Sequence, residues 1–246
     1  MRELDPPPTE PPACAVVGAG RMGTAIAAGL RAIGPLRRGE PVPAGVGVVL
    51  LCVPDGQIAA AAATVPEGPL VGHCSGATGL EPLGDREAFS LHPLMSVPTG
   101  SGPEVLEGAG CAIDGTTPRA LETARLLAHV LGMKPAHVAA EDRVAYHAAA
   151  AMASNFLVAL EATAERLALT ANVTRAQLAP LVLATARQWA ELGAEQALTG
   201  PIVRGDHDVV ARHRAVVQER TPDLLPLWDA LAQATRDLAA GIRIHA

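Results

Sequence analysis

Along residues 13–138, short runs of consecutive apolar residues alternate with stretches whose apolar positions recur every three or four residues. Residues 13–17 read as a strand and 22–33 as a helix. Residues 46–53 form a continuous apolar run closed by Pro54, as in a strand buried on both faces. Residues 57–64 read as a short helix, and 70–74, 88–92 and 110–113 as strands. A helix is predicted over 118–131, with Thr117 before Pro118 at its start and Gly132 behind it. Residues 135–139 read as a last strand. Strands alternating with helices imply βαβ units and a parallel sheet. Beyond Ala140 only the helical period survives, over 141–169, 175–192, 206–219 and 222–240, with Asn172, Gly193, Gly200-Pro201 and Thr221-Pro222 as breaks. The expected organisation is a Pro-rich lead-in (1–12), an α/β domain (13–139) and an all-α domain (140–246).

Composition narrows the function classes. Of 246 residues, 49% are hydrophobic, too many for a disordered chain. Four cysteines in this length exclude a disulfide-stapled scaffold. Cys14, Cys52, Cys74 and Cys111 lie in or beside apolar runs and read as buried, reduced strand thiols, with Cys74 set in a more polar segment. The net charge of −6, without a basic patch, does not attract a nucleic-acid backbone. Aromatics make up 2%, too few for a base-stacking platform. Residues 1–12 hold no apolar stretch of a signal peptide, and no run of about 20 uncharged apolar residues appears. No membrane association and a cytoplasmic location are therefore expected.

Gly18-Ala19-Gly20-Arg21-Met22-Gly23 is G-x-G-x-x-G between the first strand and the first helix. In such a loop the first glycine makes the turn, the second lets a pyrophosphate approach, and the third lets helix and strand pack. The helix start then offers amide donors to phosphate. Gly18, Gly20, Arg21, Met22 and Gly23 are thus candidate dinucleotide contacts; the alternative is a glycine-rich turn without a ligand. The segment 34–45 carries three prolines and three glycines where a second strand and helix would follow, so the second βα unit is expected to shrink to a loop or stub. Arg37 and Arg38 fall where the 2′-phosphate of NADP would lie, which favours NADP with NAD as the alternative; equally, they form a solvated basic loop.

Ligands of α/β sheets sit beyond the carboxyl ends of strands. Val53 and Pro54 end one apolar run and are candidate cofactor contacts, with Asp55 expected to cap the helix behind them. His73 and Ser75, and then His92, end the next two runs, and Ser75 joins the cofactor candidates. None has metal-ligand spacing, so no metal is expected, and Ser75 lacks a nucleophile elbow. On the helix after Ala140, His147 and Ser154 nearly eclipse at 100° per residue, with Asn155 alongside. His147 or His92 is the expected proton donor, and Asn155 and Ser154 the expected substrate contacts. Arg204, in a polar interhelical loop, is a candidate carboxylate clamp, while Asp206 is a candidate helix cap.

The ordered motifs GAGRMG, LLCVPD, HCSGA, SLHPL, YHAAAAMASN and TGPIVRGD resemble the two-domain Rossmann-like reductases whose helical half is designated a domain of unknown function, DUF2520. The resemblance spans nearly all of the chain after its Pro-rich start. The group is similar to pyrroline-carboxylate reductases, ketopantoate reductases and hydroxyacid dehydrogenases. It implies an NADP-linked Rossmann-like fold, homodimerisation through the helical half and a small carboxylate substrate. Some relatives are associated with reduction of 2-dehydropantoate to pantoate. The chain departs from hydroxyacid dehydrogenases and ketopantoate reductases at Ala151, where those enzymes usually carry a catalytic Lys four residues before an Asn. The His-Pro pair of SLHPL also looks like a prephenate dehydrogenase motif. The expectation is an NADP(H)-dependent oxidoreductase reducing a small carbonyl acid. The alternatives are a prephenate-type or imine-type enzyme, and a non-catalytic dinucleotide-binding or interaction protein.

Overall fold

The computed structural model describes residues 12–37 and 39–241. The lead-in through Pro11, and Arg38, lie outside the described residues. The chain divides into two compact units, the first ending at Ser154 and the second beginning at Asn155.

In the first unit the elements run β1 (Cys14–Val17), α1 (Arg21–Leu30), β2 (Ile33–Leu36), β3 (Val48–Leu51), α2 (Ile58–Ala62), β4 (Leu70–His73), β5 (Ala88–Pro93), β6 (Gly110–Gly115), α3 (Pro118–Val130), β7 (Lys134–His137) and α4 (Arg143–Ala151). Among the described residues the strands form one sheet in the order β2-β1-β3-β4-β5-β6-β7. The chain moves outward from β1 to β2, then returns to place β3 on the other flank of β1. That reversal opens a crevice between the carboxyl ends of β1 and β3, where doubly wound sheets bind ligands.

The second βα unit is shortened, as expected, and what remains of it after α1 is a four-residue strand rather than a loop. Arg31 leaves the helix in the left-handed conformation (φ 50°), three residues before Gly34. Ile33–Leu36 then pairs in parallel with β1, through Ala15 with Ile33 and Val17 with Leu36. An edge strand needs hydrogen bonds on one side only, so Gly34 and Pro35 are tolerated there. Among the described residues no helix follows between β2 and β3. The sheet is also not wholly parallel, because β6 runs antiparallel to β5. Between them lies only a 3-10 turn, Pro103–Leu106, and no crossover helix to return the chain to the same end of the sheet.

Strand periodicity splits the core into two layers. Cys14 and Val16 of β1 and Val48 and Leu50 of β3 face α1 and α3. Ala15, Val49 and Leu51 face Ile58 and Ala62 of α2. Most of this core is small aliphatic, and Phe89 of β5 is its one fully buried ring. It stands opposite Gly72 of β4, where a β-carbon would come within 2.4 Å of the ring. Thr117 caps α3 as its sequence suggests, accepting from the Ala120 amide at 3.1 Å.

The thiols are free but not equivalent. Cys14 and Cys111 are buried within strands. Cys52 and Cys74 are half-buried and stand one residue beyond β3 and β4, which corrects the expectation of four buried strand thiols.

The second unit holds α5 (Leu157–Leu169), α6 (Arg175–Leu192), α7 (Ala194–Ala197), α8 (His207–Arg220) and α9 (Leu225–Ala239). A π-helical turn, Met152–Phe156, joins α4 to α5, so the uninterrupted helix expected over 141–169 is broken. A capping box between Thr174 and Gln177 starts α6. Arg214 of α8 makes a double hydrogen bond to Asp229 of α9, both at 2.8 Å. Leu160, Leu167, Trp228 and Leu231 help line an apolar cavity of about 390 Å³. Among the described residues no helix is long and apolar enough to cross a membrane.

Because one ring fills the centre of an otherwise small-residue layer, Phe89→Ala should lower unfolding stability by roughly 3–5 kcal/mol. Gly72→Ala, which pushes a methyl group into that ring, should cost roughly 1–3 kcal/mol. Urea unfolding followed by circular dichroism measures both. A loss below about 1 kcal/mol for Phe89→Ala would show that the layer refills without the ring.

Candidate functional site

The three loop glycines differ in what surrounds them. Gly18 adopts φ +116°, and a β-carbon on it would lie 2.2 Å from the Cys52 carbonyl oxygen. A β-carbon on Gly23 would lie 1.9 Å from the Gly18 carbonyl oxygen. At Gly20 a β-carbon would meet nothing within 4 Å. Two glycines are therefore required by packing against the protein, while the middle one faces open space. Gly20 is also the N-cap of α1, with no side-chain cap and no acidic residue in the first turn, which holds Arg21 and Met22. Amides at an uncapped helix start, behind a residue with no side chain, suit a pyrophosphate. These residues fit a dinucleotide.

Val53 and Pro54 follow β3 on the same carboxyl edge of the sheet. Asp55 does not cap the helix: Pro54 takes the N-cap position of the 3-10 turn Asp55–Gln57, and no side-chain cap bond forms. Arg37 is the first residue past the carboxyl end of β2 and is exposed; its amide donates to Glu40 Oε2 at 2.8 Å. Arg38 is outside the described residues.

After β4, His73 is a structural residue. Its Nδ1 accepts from the Ser75 amide at 3.1 Å, and its Nε2 is 2.8 Å from the Gly79 carbonyl oxygen. Burial pushes its pKa below the usual histidine value, outweighing the Gly79 hydrogen bond, which acts the other way. Ser75 is buried too, and its Oγ accepts from the amides of Ala77 (3.3 Å) and Thr78 (2.9 Å). It shapes the turn at the strand end.

The residue that the sequence did not single out is Arg143, the first of α4. It is 2% exposed. Its Nη1 donates to the Ser75 carbonyl oxygen at 3.2 Å, its Nη2 donates to Ser90 Oγ, and Asp114 Oδ2 lies 3.9 Å away. Its Nε has no hydrogen-bond partner among the described residues. One guanidinium thus ties the start of α4 to the ends of β4 and β5. Nothing in the local sequence distinguishes it from a solvated arginine at a helix start.

Tying α4 there brings the candidate histidines together. His92 Nδ1 and the Tyr146 hydroxyl share a 2.7 Å hydrogen bond, with the rings edge-on at 5.6 Å. The His147 ring lies 6.2 Å from that of His92. Gly76 makes room for both, since a β-carbon there would sit 2.7 Å from His92 Cε1 and 2.8 Å from His147 Cδ2. Burial, then repulsion from His147 and Arg143, lowers the His92 pKa to about 4, while burial raises Tyr146 to about 12. Both partners are therefore neutral at pH 7, and His147, exposed on α4, stands next to them.

The other expected contacts are placed differently. Ser154 Oγ donates back to the Ala150 carbonyl oxygen at 2.8 Å. Ser154 and Asn155 sit in the π-helical turn, whose wider pitch changes the phase that a uniform helix would give them relative to His147. Asn155 and Arg204 belong to the second unit. Arg204 Nε donates to Asp206 Oδ2 at 3.0 Å, and Asp206, at the N-cap position of α8, makes no side-chain cap bond. Among the described residues no group of three or more His, Cys, Asp or Glu side chains could hold a metal.

The model of a domain of unknown function, DUF2520, matches residues 109–235. The chain belongs to this family. A comparison with curated proteins returned no match. Among solved structures, protein TM1727 from Thermotoga maritima is 25% identical, with TM-score 0.79, and the match covers 94% of this chain and all of that one. Protein BF3122 from Bacteroides fragilis is 19% identical, with TM-score 0.73, over 92% of this chain and 98% of that one. The Plasmodium falciparum pyrroline carboxylate reductase, solved with NADP bound, is 10% identical, with TM-score 0.60, over 94% of this chain and all of that one. The DUF2520 chain therefore shares the Rossmann-like fold of these proteins over the matched 92–94% of its length.

The lowered His92 pKa carries a stability consequence. The unfolded chain takes up this proton near pH 6.5 and the folded chain only near pH 4, so the unfolded state binds more protons in between. His92 should therefore cost stability progressively as pH falls from 6.5 towards 4, by up to roughly 3 kcal/mol. His92→Gln should flatten that part of the stability–pH curve relative to the parent chain, as read from urea unfolding at half-unit pH steps. Parallel curves would show that His92 titrates normally.

Proposed function

We propose that this DUF2520 protein is an NADP(H)-dependent oxidoreductase that reduces a small carbonyl acid, with 2-dehydropantoate as the first candidate. The observation that carries this reading is the uncapped start of α1 behind an open Gly20, at the β1–β3 crevice of the sheet. The NADP-bound pyrroline carboxylate reductase of the same fold supports the cofactor assignment and keeps a cyclic imine acid as the alternative substrate class. Arg37, just past β2, is proposed to meet the 2′-phosphate.

When bound, the dihydronicotinamide supplies a hydride. A carbonyl oxygen then needs a proton from the protein. His92 is neutral at pH 7, so it is assigned to orienting the Tyr146 hydroxyl. His147 is assigned as proton donor, because Ala151 occupies the position of the usual Lys. That same alanine favours the second reading, a dinucleotide-binding protein without turnover. The cytoplasm, which supplies NADPH and keeps thiols reduced, is the proposed location.

NADPH should bind the reduced chain and quench or shift its own fluorescence. Gly20→Ala should weaken binding at least tenfold with stability unchanged, whereas Gly23→Ala should destabilise the fold by roughly 1–3 kcal/mol. No binding of NADPH or NADH at about 1 mM overturns the cofactor reading. With binding secured, 2-dehydropantoate, pyrroline-5-carboxylate and prephenate are assayed in the appropriate directions. His147→Ala should lower kcat at least tenfold, and full activity would remove His147 from the mechanism. Firm binding without turnover of any substrate supports the non-catalytic reading.

A homodimer built on the helical unit is also proposed. No residue of α5 or α6 is buried, and Leu181, Leu183 and Trp189 are 66%, 59% and 61% exposed. Apolar helix faces of this kind need a partner. Sedimentation equilibrium should give twice the chain mass; a single chain mass at micromolar concentration would overturn it.

A further inference from the structure

Cys52 and Cys74 stand one residue beyond the paired Leu51 and His73 of β3 and β4, and the parallel ladder continues through them. The Cys52 amide donates to the Val17 carbonyl oxygen at 2.7 Å, and the Cys74 amide donates to the Leu51 carbonyl oxygen at 3.2 Å. Their sulfurs lie 3.4 Å apart. Neighbouring strands are about 4.8 Å apart, inside the Cα separation that a disulfide spans. Cys52 and Cys74 are half-buried residues, whereas the strand thiols Cys14 and Cys111 are buried. Burial pushes those two up to about 11 and about 12, which keeps them protonated and inert.

The place of this pair matters more than its proximity. Cys52 is the floor of the glycine loop: its carbonyl lies against Gly18, and its own β-carbon would be 3.1 Å from one on Gly23. Closing a disulfide brings the sulfurs from 3.4 Å to about 2.05 Å and turns both side chains. A shift of Cys52 acts directly on the loop, because its backbone carbonyl occupies the space a β-carbon on Gly18 would need.

We propose that Cys52 and Cys74 form a reversible disulfide under oxidation by a peroxide, and that its closure weakens dinucleotide binding at the loop above. The linkage stands on the thiol geometry alone, while the effect on binding rests on the function proposed above. Cys52 loses its thiol proton, its thiolate attacks a peroxide oxygen of hydrogen peroxide, the O–O bond breaks, and the departing hydroxide takes up that proton, leaving a sulfenic acid and one water. The Cys74 sulfur then attacks that sulfur; the S–S bond forms, the S–O bond breaks and a second water leaves with the remaining thiol proton. Two electrons pass from the thiol pair to the peroxide. The hydrogen bond with Cys52, then burial, holds the Cys74 thiol well above the usual range, which assigns first attack to Cys52 and resolution to Cys74. Directly opposed strand positions close with strain, and strained disulfides are readily reduced, so dithiothreitol should restore the starting state.

The test uses the full chain, treated with a small excess of hydrogen peroxide that is then removed with catalase. Cys52 and Cys74 share one tryptic peptide, but cleavage after Glu67 separates them. Mass spectrometry after Glu-specific digestion should therefore show the two fragments joined, and dithiothreitol should part them. NADPH titrated against the same samples should bind at least fivefold more weakly to the oxidised chain. Cys74→Ser should abolish both the linkage and the response, and Cys14→Ala with Cys111→Ala should keep both. A reduced chain that binds NADPH but never shows the Cys52–Cys74 linkage overturns the proposal, as does a complete linkage with affinity unchanged within twofold. A reduced chain that binds no dinucleotide overturns the proposed function and with it the coupling, and the mass spectrum still decides the linkage.

Discussion

The contact between Gly18 and the carbonyl of Cys52 governs this molecule. A β-carbon at Gly18 would have to occupy space 2.2 Å from that oxygen. With Gly18 drawn onto β3, the chain turns in a left-handed conformation and α1 begins at once, so closely that Gly23 has no room for a side chain above Gly18. The cap position of that helix is filled by Gly20, where a β-carbon would meet only open space. One backbone approach thus sets the helix placement and leaves amide donors at a helix start that suits a phosphate group. It also makes the cysteine beneath the loop a structural part of the site.

A second constraint acts on the other side of the same edge. Arg143 is a full charge with 2% exposure; its hydrogen bonds go to a carbonyl and a hydroxyl, and the Asp114 carboxylate lies 3.9 Å away as a longer ion pair. A buried guanidinium is costly unless it is held, and holding it fixes α4 over β4 and β5. Its positive charge adds to burial in keeping His92 and His73 neutral. The two histidines at successive strand ends therefore separate in role. His73 spends both nitrogens on its own loop, and His92 keeps one for Tyr146.

Much of the first unit was legible because its signals are local. Apolar runs ended by Pro54 or Gly132, Thr117 before Pro118, and the spaced glycines each report on a few adjacent residues. What stayed hidden depends on distant partners. Ile33–Leu36 becomes a strand only because the edge of β1 is available to pair with it. The reversal at β6 follows from a missing crossover helix, which no residue of β6 announces. Arg143 is indistinguishable in sequence from a surface arginine, and the Cys52–Cys74 pair is 22 residues apart with no motif spacing. Only a uniform helix would bring His147, Ser154 and Asn155 into phase, and the π-helical turn over Met152–Phe156 interrupts it.

The clipped second βα unit bears on how a dinucleotide would be held. Ligands of an open sheet are set by the point where the strand order reverses, and that point lies between β1 and β3. Losing the helix after β2 leaves this reversal untouched, so the pyrophosphate side keeps its loop and its helix start. What is lost is a wall flanking the edge strand, where an adenosine ribose would lie. A shape-matched pocket is then replaced by an exposed basic residue, Arg37, directly past β2. Charge can recognise a 2′-phosphate without enclosing it, whereas a neutral ribose hydroxyl needs a placed acceptor, and 34–45 offers only Glu40, whose Oε2 already accepts from the Arg37 amide. The same deletion that thins the adenosine side therefore tilts the proposed preference towards NADP.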